Sequence, residues 1–310
     1  MGVFYSFLCS SNNTAQLLWQ HMLVFVVAIN VKLGRTNFIM RRHALFTAIL
    51  FVFVLNTGCE NLIEYSPYEA KVKDGEANLN GKAIKVLAAK SSNAFKPFRF
   101  AVIGDSHTYY DDFKDQIAAL NQIDSIDFVV HMGDITLSGI YREFLWYRDI
   151  IKPLRYPIVT LVGNHDCLSN GEFMYKEMFG KFNFSLEYNG CRLLFFDDNI
   201  WERNGKDPDF TWLDGTLATE GEWKHKFVFA HIQPWDQQFS VGNGHLYNFI
   251  MDRNSVSLSI HGHTHSFYYG TYYKDWYGNV PYLVCGDSED REIVLVDVFE
   301  DSYKVTVRRF

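Results

Sequence analysis

The stretch Pro157-Ile-Val-Thr-Leu-Val-Gly-Asn-His-Asp166 is an apolar run that ends in a polar tetrapeptide. A short run of β-branched and aliphatic residues between Pro and Gly is typical of an interior strand, and we predict one over residues 158–162. Side chains that follow the C-terminal end of a strand project into the crevice where α/β proteins bind ligands. We therefore expect Asn164 and His165 in a functional site, although a plain polar turn has the same local sequence.

Four further polar blocks follow apolar runs elsewhere in the chain. They are Gly104-Asp105-Ser106-His107, Gly133-Asp134, His231 and Gly262-His263-Thr264-His265. With the first stretch they supply seven oxygen and imidazole ligands and no thiolate: Asp105, His107, Asp134, Asn164, His231, His263 and His265. Such ligands suit Mn, Fe or Zn. Because one carboxylate can bridge two ions, the set predicts a dinuclear metal centre with open positions for water and substrate, as in hydrolases.

The alternation of strands and helices predicts an α/β fold. Strands are predicted over residues 98–103, 128–132 and 158–162, with helices over 112–121 and 140–151, and this order implies a largely parallel sheet. The second half is richer in strands, predicted over residues 182–187, 191–196, 227–230, 256–260, 267–273, 281–284, 293–298 and 303–307. Helices are predicted there over residues 212–222 and 245–252. Two sheets packed face to face, with helices outside, would bury all of these strands.

The composition divides the chain into three parts. Residues 98–310 form one block without a linker, long enough for a single domain. Residues 59–97 are polar and rich in turn residues, and we predict a tether with an irregular lead-in over 60–96. Residues 1–58 contain no Asp or Glu and hold two long apolar stretches, which indicates a signal or leader segment.

The second apolar stretch, residues 44–55, has the flanks of a secretion signal. Met40-Arg41-Arg42 precedes it and Thr57-Gly58-Cys59 follows it. The arrangement resembles a bacterial lipoprotein signal that ends at a lipid-modified Cys59, although Asn56 stands where such signals usually carry Leu. An ordinary signal peptide or an N-terminal membrane anchor is the alternative. If Met40 is the true start, residues 1–39 reflect the choice of start site. We expect an exported, membrane-anchored lipoprotein, periplasmic or on the cell surface.

The net charge indicates which class of substrate the protein binds, and the remaining cysteines and histidines have mostly structural interpretations. Residues 1–58 hold four of the 29 Lys and Arg residues and none of the 36 Asp and Glu residues, which leaves a formal charge of −11 on the remainder. Such an acidic surface disfavours nucleic acid and favours a small phosphate-ester substrate. Residues outside the motif positions are interpreted as structural: Cys191, Cys285, His131, His225, His245 and His261. Cys167 is a candidate for lining the site, and His131 and His261 for supporting it.

Together the five blocks resemble those of the calcineurin-like metallophosphoesterase superfamily, over about residues 98–310. The resemblance implies an αββα sandwich of two sheets. It also implies one metal held by Asp105, His107, Asp134 and His265, and another held by Asp134, Asn164, His231 and His263. A metal-bridging hydroxide would attack phosphorus in line. His165 would act as electrophile or general acid, with Asp166 orienting its imidazole.

Departures from the best-known branches leave several functions open. The Asp-Arg-Gly stretch of protein Ser/Thr phosphatases is absent after Asp134, and the Tyr of purple acid phosphatases is replaced by Leu137. The hypotheses are a phosphomonoesterase, a phosphodiesterase of cyclic-nucleotide or nuclease-like type, and a non-catalytic metal-containing surface binding protein. Retention of every ligand and of His165 argues against the last. We expect substrate selection to reside in the loops over residues 201–210 and 233–244.

The lipoprotein-signal hypothesis makes a testable prediction about Cys59. Stable membrane anchoring needs more than one acyl chain, as in bacterial lipoproteins. In this hypothesis Cys59 is the residue that carries the lipid. Cys59→Ser should leave the domain folded and active while releasing it from the membrane fraction or blocking its processing. Detergent-free fractionation, with mass spectrometry of the mature N-terminus, measures both effects. Equal solubility and the same N-terminus in mutant and wild type would leave a plain signal peptide.

Overall fold

The computed structural model describes residues 71–272 and 278–310, together with residue 46. The predicted signal segment and the candidate lipidation site at Cys59 lie outside the described residues. Among the described residues, no helix has both the length and the apolar composition needed to cross a bilayer.

Two sheets form the centre of the domain. The described residues of the first sheet are β1 (Phe98–Ile103), β2 (Phe128–His131), β3 (Ile158–Thr160), β10 (Glu292–Val298) and β11 (Tyr303–Arg309). Those of the second are β4 (Phe184–Tyr188), β5 (Cys191–Phe196), β6 (Lys226–Ala230), β7 (Leu258–His261), β8 (Tyr268–Gly270) and β9 (Tyr282–Val284). The strand orders are β11-β10-β1-β2-β3 and β4-β5-β6-β7-β9-β8.

Each sheet has a parallel core and antiparallel strands beside it. In the first sheet β1, β2 and β3 are parallel, while β10 is antiparallel to β1. In the second, β5, β6, β7 and β9 are parallel, while β4 and β8 are antiparallel edge strands. Parallel strands end at the same edge, so each sheet presents its C-terminal loops together.

Helices cover the outer faces of the two sheets. They are α2 (Tyr110–Leu120), α3 (Tyr141–Ile151), α4 (Gly171–Met178), α5 (Phe210–Leu217) and α6 (Val241–Arg253). The first helix, α1 (Leu79–Lys90), instead contacts the edge strands β3 and β4 and joins the core between the sheets. Helices α2, α3 and α4 pack with the outward residues of the first sheet, and α5 and α6 with those of the second.

Alternation along the strands separates the core layers. Phe100 and Val102 of β1 point into a buried cluster with Phe227 and Phe229 of the second sheet. Residues at even spacing share a face of a strand, so the neighbouring Ala101 faces the helices instead. The strands are apolar on both faces because both faces are covered. The predicted two-sheet sandwich flanked by helices is therefore confirmed.

Several predicted elements differ from the observed ones. Helix α1 occupies part of the stretch predicted to be irregular, because its apolar residues Ala83 and Leu87 are spaced one helical turn apart and join the core. Helix α4 was not predicted. The predicted strand over residues 158–162 ends at Thr160, and the predicted helix over 212–222 is replaced by α5, which begins and ends earlier.

Asn80 attaches α1 to the end of β3. Its Nδ2 donates to the carbonyl oxygen of Thr160 at 2.8 Å, and its Oδ1 accepts from the Thr160 amide at 2.9 Å. The Thr160 carbonyl also accepts from the Tyr175 hydroxyl at 2.6 Å, but its amide depends on the buried Asn80 rather than on water.

We predict that Asn80→Ala lowers the free energy of unfolding by about 1–3 kcal/mol, because it leaves the buried Thr160 amide unsatisfied, while the Thr160 carbonyl still accepts from the Tyr175 hydroxyl. Urea denaturation followed by circular dichroism measures the change. Lys85→Ala on the exposed side of the same helix is the matched control and should change stability little. Similar stabilities for both variants would contradict a structural role for the lead-in helix.

Candidate metal centre

All seven predicted ligand residues converge at the edge where the parallel strands of both sheets end. Asp105 and His107 follow β1, Asp134 follows β2 and Asn164 follows β3. His231 follows β6, while His263 and His265 follow β7. The first sheet thus contributes mostly oxygen ligands, and the second contributes three imidazoles.

The ligands form two sets that share Asp134. One set is Asp105, His107, Asp134 and His265, and the other contains Asp134, His231 and His263; the donor atoms of each set lie within 4.8 Å of one another. Asn164 completes the second set, because its Oδ1 lies 3.2 Å from Nε2 of His231 and 3.0 Å from Nδ1 of His263. Each set joins ligands from both sheets.

Asp134 lies between the two sets. Its Oδ2 is 3.4 Å from Nε2 of His107 and 3.4 Å from Nε2 of His231. Its Oδ1 accepts a hydrogen bond from the His165 amide at 2.9 Å, which fixes the plane of the carboxylate. This geometry suits a carboxylate that serves two cations at once.

The backbone of this edge is strained at the ligands. Asp105, Asp134, His263 and His265 have φ angles of 49°, 55°, 72° and 54°. A left-handed conformation costs a residue other than glycine about 1–3 kcal/mol and persists only where the surroundings impose it. Hydrogen bonds supply part of that restraint: the amides of Ser106 and His107 both donate to the Asp134 carbonyl at 3.1 Å.

Burial makes the charges of the centre interdependent. Burial, helped by the nearby Asp134 carboxylate, raises the pKa of Asp105 to about 7. Burial also acts to raise the pKa of Asp134, but the facing imidazoles of His231 and His107 hold that pKa well below its usual range. Burial acts to lower the pKa of His231, and Asp134 opposes it so strongly that the pKa rises to about 10. Carboxylates buried here therefore demand positive charge beside them.

The donor set fits metal cations. Neither ring nitrogen of buried His107 has a hydrogen-bond partner among the described residues, although Nε2 faces Asp134. Nε2 of His107 is therefore available to bind a metal ion beside the shared Asp134 carboxylate. Carboxylate, amide and imidazole groups are ligand types that Mn, Fe and Zn all accept, so the two sets fit any of these metals.

Buried residues behind the ligands set their orientation. Nδ1 of His231 lies 2.7 Å from the Met132 carbonyl, so Nδ1 carries the proton and Nε2 faces the centre. Asp198, which follows β5, accepts from the amides of His231 and Ile232 at 3.2 and 3.1 Å. Asp198 was missed in the sequence because no spacing relates it to His231.

His131 and His261 lie behind the ligand loops. Nε2 of His131 is 3.1 Å from Oγ of Ser106, and Nε2 of His261 is 2.8 Å from Oγ of Ser259. Burial lowers the pKa of each to about 3, so both are neutral hydrogen-bonding residues. His225 lies at the other end of β6 from His231 and bonds Ser257 and the Phe299 carbonyl.

Asp166 does not orient His165, which corrects the role that the resemblance implied. Nδ1 of His165 is 2.9 Å from the carbonyl oxygen of Leu137 instead. The Asp166 carboxylate accepts hydrogen bonds from the amides of Ile135, Thr136 and Gly163 and from Oγ1 of Thr136. Those hydrogen bonds satisfy the fully buried carboxylate, which thereby connects the loop after β2 to the loop after β3.

The three cysteines among the described residues are buried in apolar surroundings. Cys191 and Cys285 are buried members of the core between the sheets. Cys167 is also buried, and its Sγ approaches the Gly163 carbonyl at 3.5 Å. Burial raises the pKa of the Cys167 thiol, which is a poor setting for a reactive thiolate.

The fold and this centre define the class of metal-dependent phosphoesterases. The profile of the family described as calcineurin-like phosphoesterase matches residues 98–267, more than half of the chain. The chain therefore belongs to the calcineurin-like phosphoesterase family.

Two similar proteins differ in how much of this chain they match. The glycerophosphodiester phosphodiesterase GpdQ of Enterobacter lignolyticus (strain SCF1) is 27% identical in an alignment of 170 residues that covers 49% of this chain and 61% of that protein. This chain therefore spans less than two thirds of that relative's length. GAP50, the anchor in the inner membrane complex of Plasmodium, matches with a TM-score of 0.53 and 11% identity over 68% of this chain and 84% of its own. Identity that low shows a shared fold alone.

Gly163 provides a test of the close approach beside the shared carboxylate. A Cβ atom there would lie 2.1 Å from Oδ1 of Asp134 and 2.2 Å from its amide nitrogen. Gly163→Ala should therefore displace Asp134 and weaken metal binding by about 10-fold or more, as measured by chelator competition.

Gly215→Ala is the matched control, because a Cβ atom at Gly215 of α5 meets nothing within 4 Å. It should keep the metals and stabilise the helix slightly, by about 0.5–1 kcal/mol. Equal metal affinity in the two variants would show that Asp134 tolerates the displacement.

Proposed function

We propose that this chain hydrolyses small phosphate esters at a two-metal centre, and that phosphodiesters are the preferred class. The observation that carries the proposal is the pair of ligand sets that share Asp134. Bound there, two metal ions would supply Lewis acidity toward the phosphoryl oxygens and lower the pKa of a water molecule. The phosphodiesterase relative supports the choice of diesters, since it aligns with 49% of this chain.

Charge around the centre also favours diesters over monoesters. The side chains that approach the ligands from outside include Glu202, Asp236 and Asp287, all of which are carboxylates. Negative charge near the centre raises the electrostatic cost of a monoester dianion more than that of a diester monoanion.

His165 is assigned the proton transfer to the leaving oxygen. Its ring is half-buried, with its centroid 4.7 Å from that of His107, so it lies beside the first ligand set. The Leu137 carbonyl holds the Nδ1 proton, which directs Nε2 away from that loop. In the imidazolium form, Nε2 would donate a proton to the departing alkoxide as its bond to phosphorus breaks.

The test compares bis(4-nitrophenyl) phosphate with 4-nitrophenyl phosphate on the full chain, after chelator treatment and after adding back Mn²⁺ or Zn²⁺. Metal-dependent turnover, faster for the diester, is the expected result. Faster turnover of the monoester would make the chain a phosphomonoesterase. Two bound metal ions without turnover of either ester would favour the non-catalytic surface binding protein.

We predict that His165→Ala keeps both metal ions and lowers kcat about 10²-fold or more for esters with poor leaving groups, a typical general-acid contribution. Esters with good leaving groups need little protonation and should be affected less. Steady-state rates across a series of aryl diesters, with metal content by elemental analysis, give both results. An equal loss across the series would point to phosphate binding rather than proton transfer.

We also propose that the domain works outside the cytoplasm, held at a membrane by lipid on Cys59. The support is the Arg41-Arg42 start, the apolar stretch over residues 44–55 and the small residues before Cys59. Fractionation of the Cys59→Ser variant decides between this location and simple secretion.

A further inference from the structure

Five of the seven predicted metal ligands, Asn164 and the four histidines, have two chemically different atoms that could face a cation. Asn164 can present its amide oxygen or its amide nitrogen, and only the oxygen is a ligand. A neutral imidazole such as that of His263 or His265 carries its proton on one nitrogen and presents the other. The group bonded to the outer atom decides which atom faces inward.

Asp287 faces Nδ1 of His265, the ring nitrogen that points away from the ligand sets. Its Oδ2 lies 3.1 Å from Nδ1 of His265, while Nε2 of the same ring lies 3.5 Å from Oδ1 of Asp105. A carboxylate only accepts hydrogen bonds, so Nδ1 must carry the proton and Nε2 keeps its lone pair for the first ligand set. The other oxygen, Oδ1, accepts from the Asp290 amide at 3.1 Å and holds the carboxylate in place.

Glu202 accepts a hydrogen bond from Nδ2 of Asn164, the amide atom that points away from the ligand sets. Its Oε1 accepts a hydrogen bond from Nδ2 of Asn164 at 3.2 Å, which turns Oδ1 of Asn164 toward the second ligand set. The second oxygen, Oε2, is buried and accepts no hydrogen bond from any described residue. A buried carboxylate oxygen without a partner is costly, so stability alone does not account for Glu202.

The turn that carries Glu202 is anchored by its neighbour. Glu202 lies in the short 3-10 helix Trp201–Arg203. Arg203 forms ion pairs with Glu172 at 2.6 Å and with Asp197 at 2.5 Å. These ion pairs fix the turn beside Asn164 without contacting the metal ligands, so the position of Glu202 does not depend on Asn164.

Asp236 has a similar but weaker relation to His263. Its Oδ2 lies 3.6 Å from Nε2 of that ring, beyond hydrogen-bond distance, while Nδ1 faces Asn164. Its influence on the ring is therefore smaller than that of Asp287 on His265.

We propose that Asp287 and Glu202 are positioning residues, one for each metal. Asp287 presents Nε2 of His265 to the first ligand set, and Glu202 presents Oδ1 of Asn164 to the second. The inference rests on the two-metal centre of the proposed function and is independent of the substrate.

The experiment measures Zn²⁺ binding to the full chain by competition with a chromophoric chelator, without substrate. Asp287→Asn places an amide group against the Nδ1 proton or against the Asp290 amide, and Glu202→Leu removes the acceptor for Nδ2. Each should weaken one of the two Zn²⁺ sites about 10- to 100-fold and leave the other within about 3-fold. Glu202→Gln keeps an acceptor oxygen and should recover most of the affinity.

Matched exposed positions serve as controls. Asp111→Asn and Glu220→Leu make the same chemical changes at exposed residues and should bind both Zn²⁺ ions as the wild type does. Unchanged affinity in Asp287→Asn and Glu202→Leu as well would overturn the proposal.

Double variants test whether each carboxylate acts through its own ligand. In a His265→Ala background, Asp287→Asn should have no further effect on Zn²⁺ affinity, while Glu202→Leu keeps its full effect. In an Asn164→Ala background the pattern should reverse. Additive losses in both backgrounds would show that the carboxylates do not act through His265 and Asn164.

Thermal unfolding of the chelator-treated variants separates positioning from a general structural role. The metal-free unfolding temperatures should match that of the wild type, and only the increase on adding Zn²⁺ should shrink. Lower metal-free temperatures with equal weakening of both sites would assign the two carboxylates to loop stability and overturn the proposal. Two bound Zn²⁺ ions without hydrolysis would refute the proposed function and leave this result unaffected.

Discussion

The buried carboxylate of Asp134 sets the main constraint on this edge of the protein. It is 1% exposed and lies where the loops of both sheets meet, so its charge has to be balanced from within the protein or by bound cations. His107 and His231 approach the same oxygen from opposite ligand sets. The left-handed backbone at Asp134 and at three other ligands has a cost, and it persists because the sheets beneath leave these loops little freedom.

Each ligand set draws on both sheets, and this has a mechanical consequence. The first set takes His265 from the second sheet and the rest from the first, while the second set joins Asn164 and Asp134 to two histidines of the second sheet. A cation bound in either set therefore links the sheets at their C-terminal edge. Direct bonds already run between them there, such as that from Nδ1 of His231 to the Met132 carbonyl. Binding energy and folding energy are coupled at such a junction.

The sequence was most informative where a polar residue directly follows an apolar strand. The strand ends decide which side chains meet, so the position of His231 relative to Asp134 follows from topology once two sheets are assumed. Asp166 shows the limit of that reasoning, because its place in the sequence suggested an interaction with His165. Its carboxylate instead accepts from the Gly163 amide and from the amides of Ile135 and Thr136, which are 31 and 30 residues away. Helix α1 was missed for a related reason: its polar surface resembles a linker, and only tertiary packing reveals its buried side.

Glu202 and Asp287 could not have been found from spacing, because each reaches its ligand from a different loop. Their contribution also bears on substrate charge. With two carboxylates among the seven ligands, the two divalent cations of the proposed centre would keep a net positive charge that attracts phosphate. Outer carboxylates orient the neutral ligands and at the same time reduce that positive charge. A centre arranged in this way gains well-directed ligands at the expense of attraction for highly charged anions. A diester, with a single negative charge, loses less by this exchange than a monoester dianion, which links the outer carboxylates to the proposed substrate class.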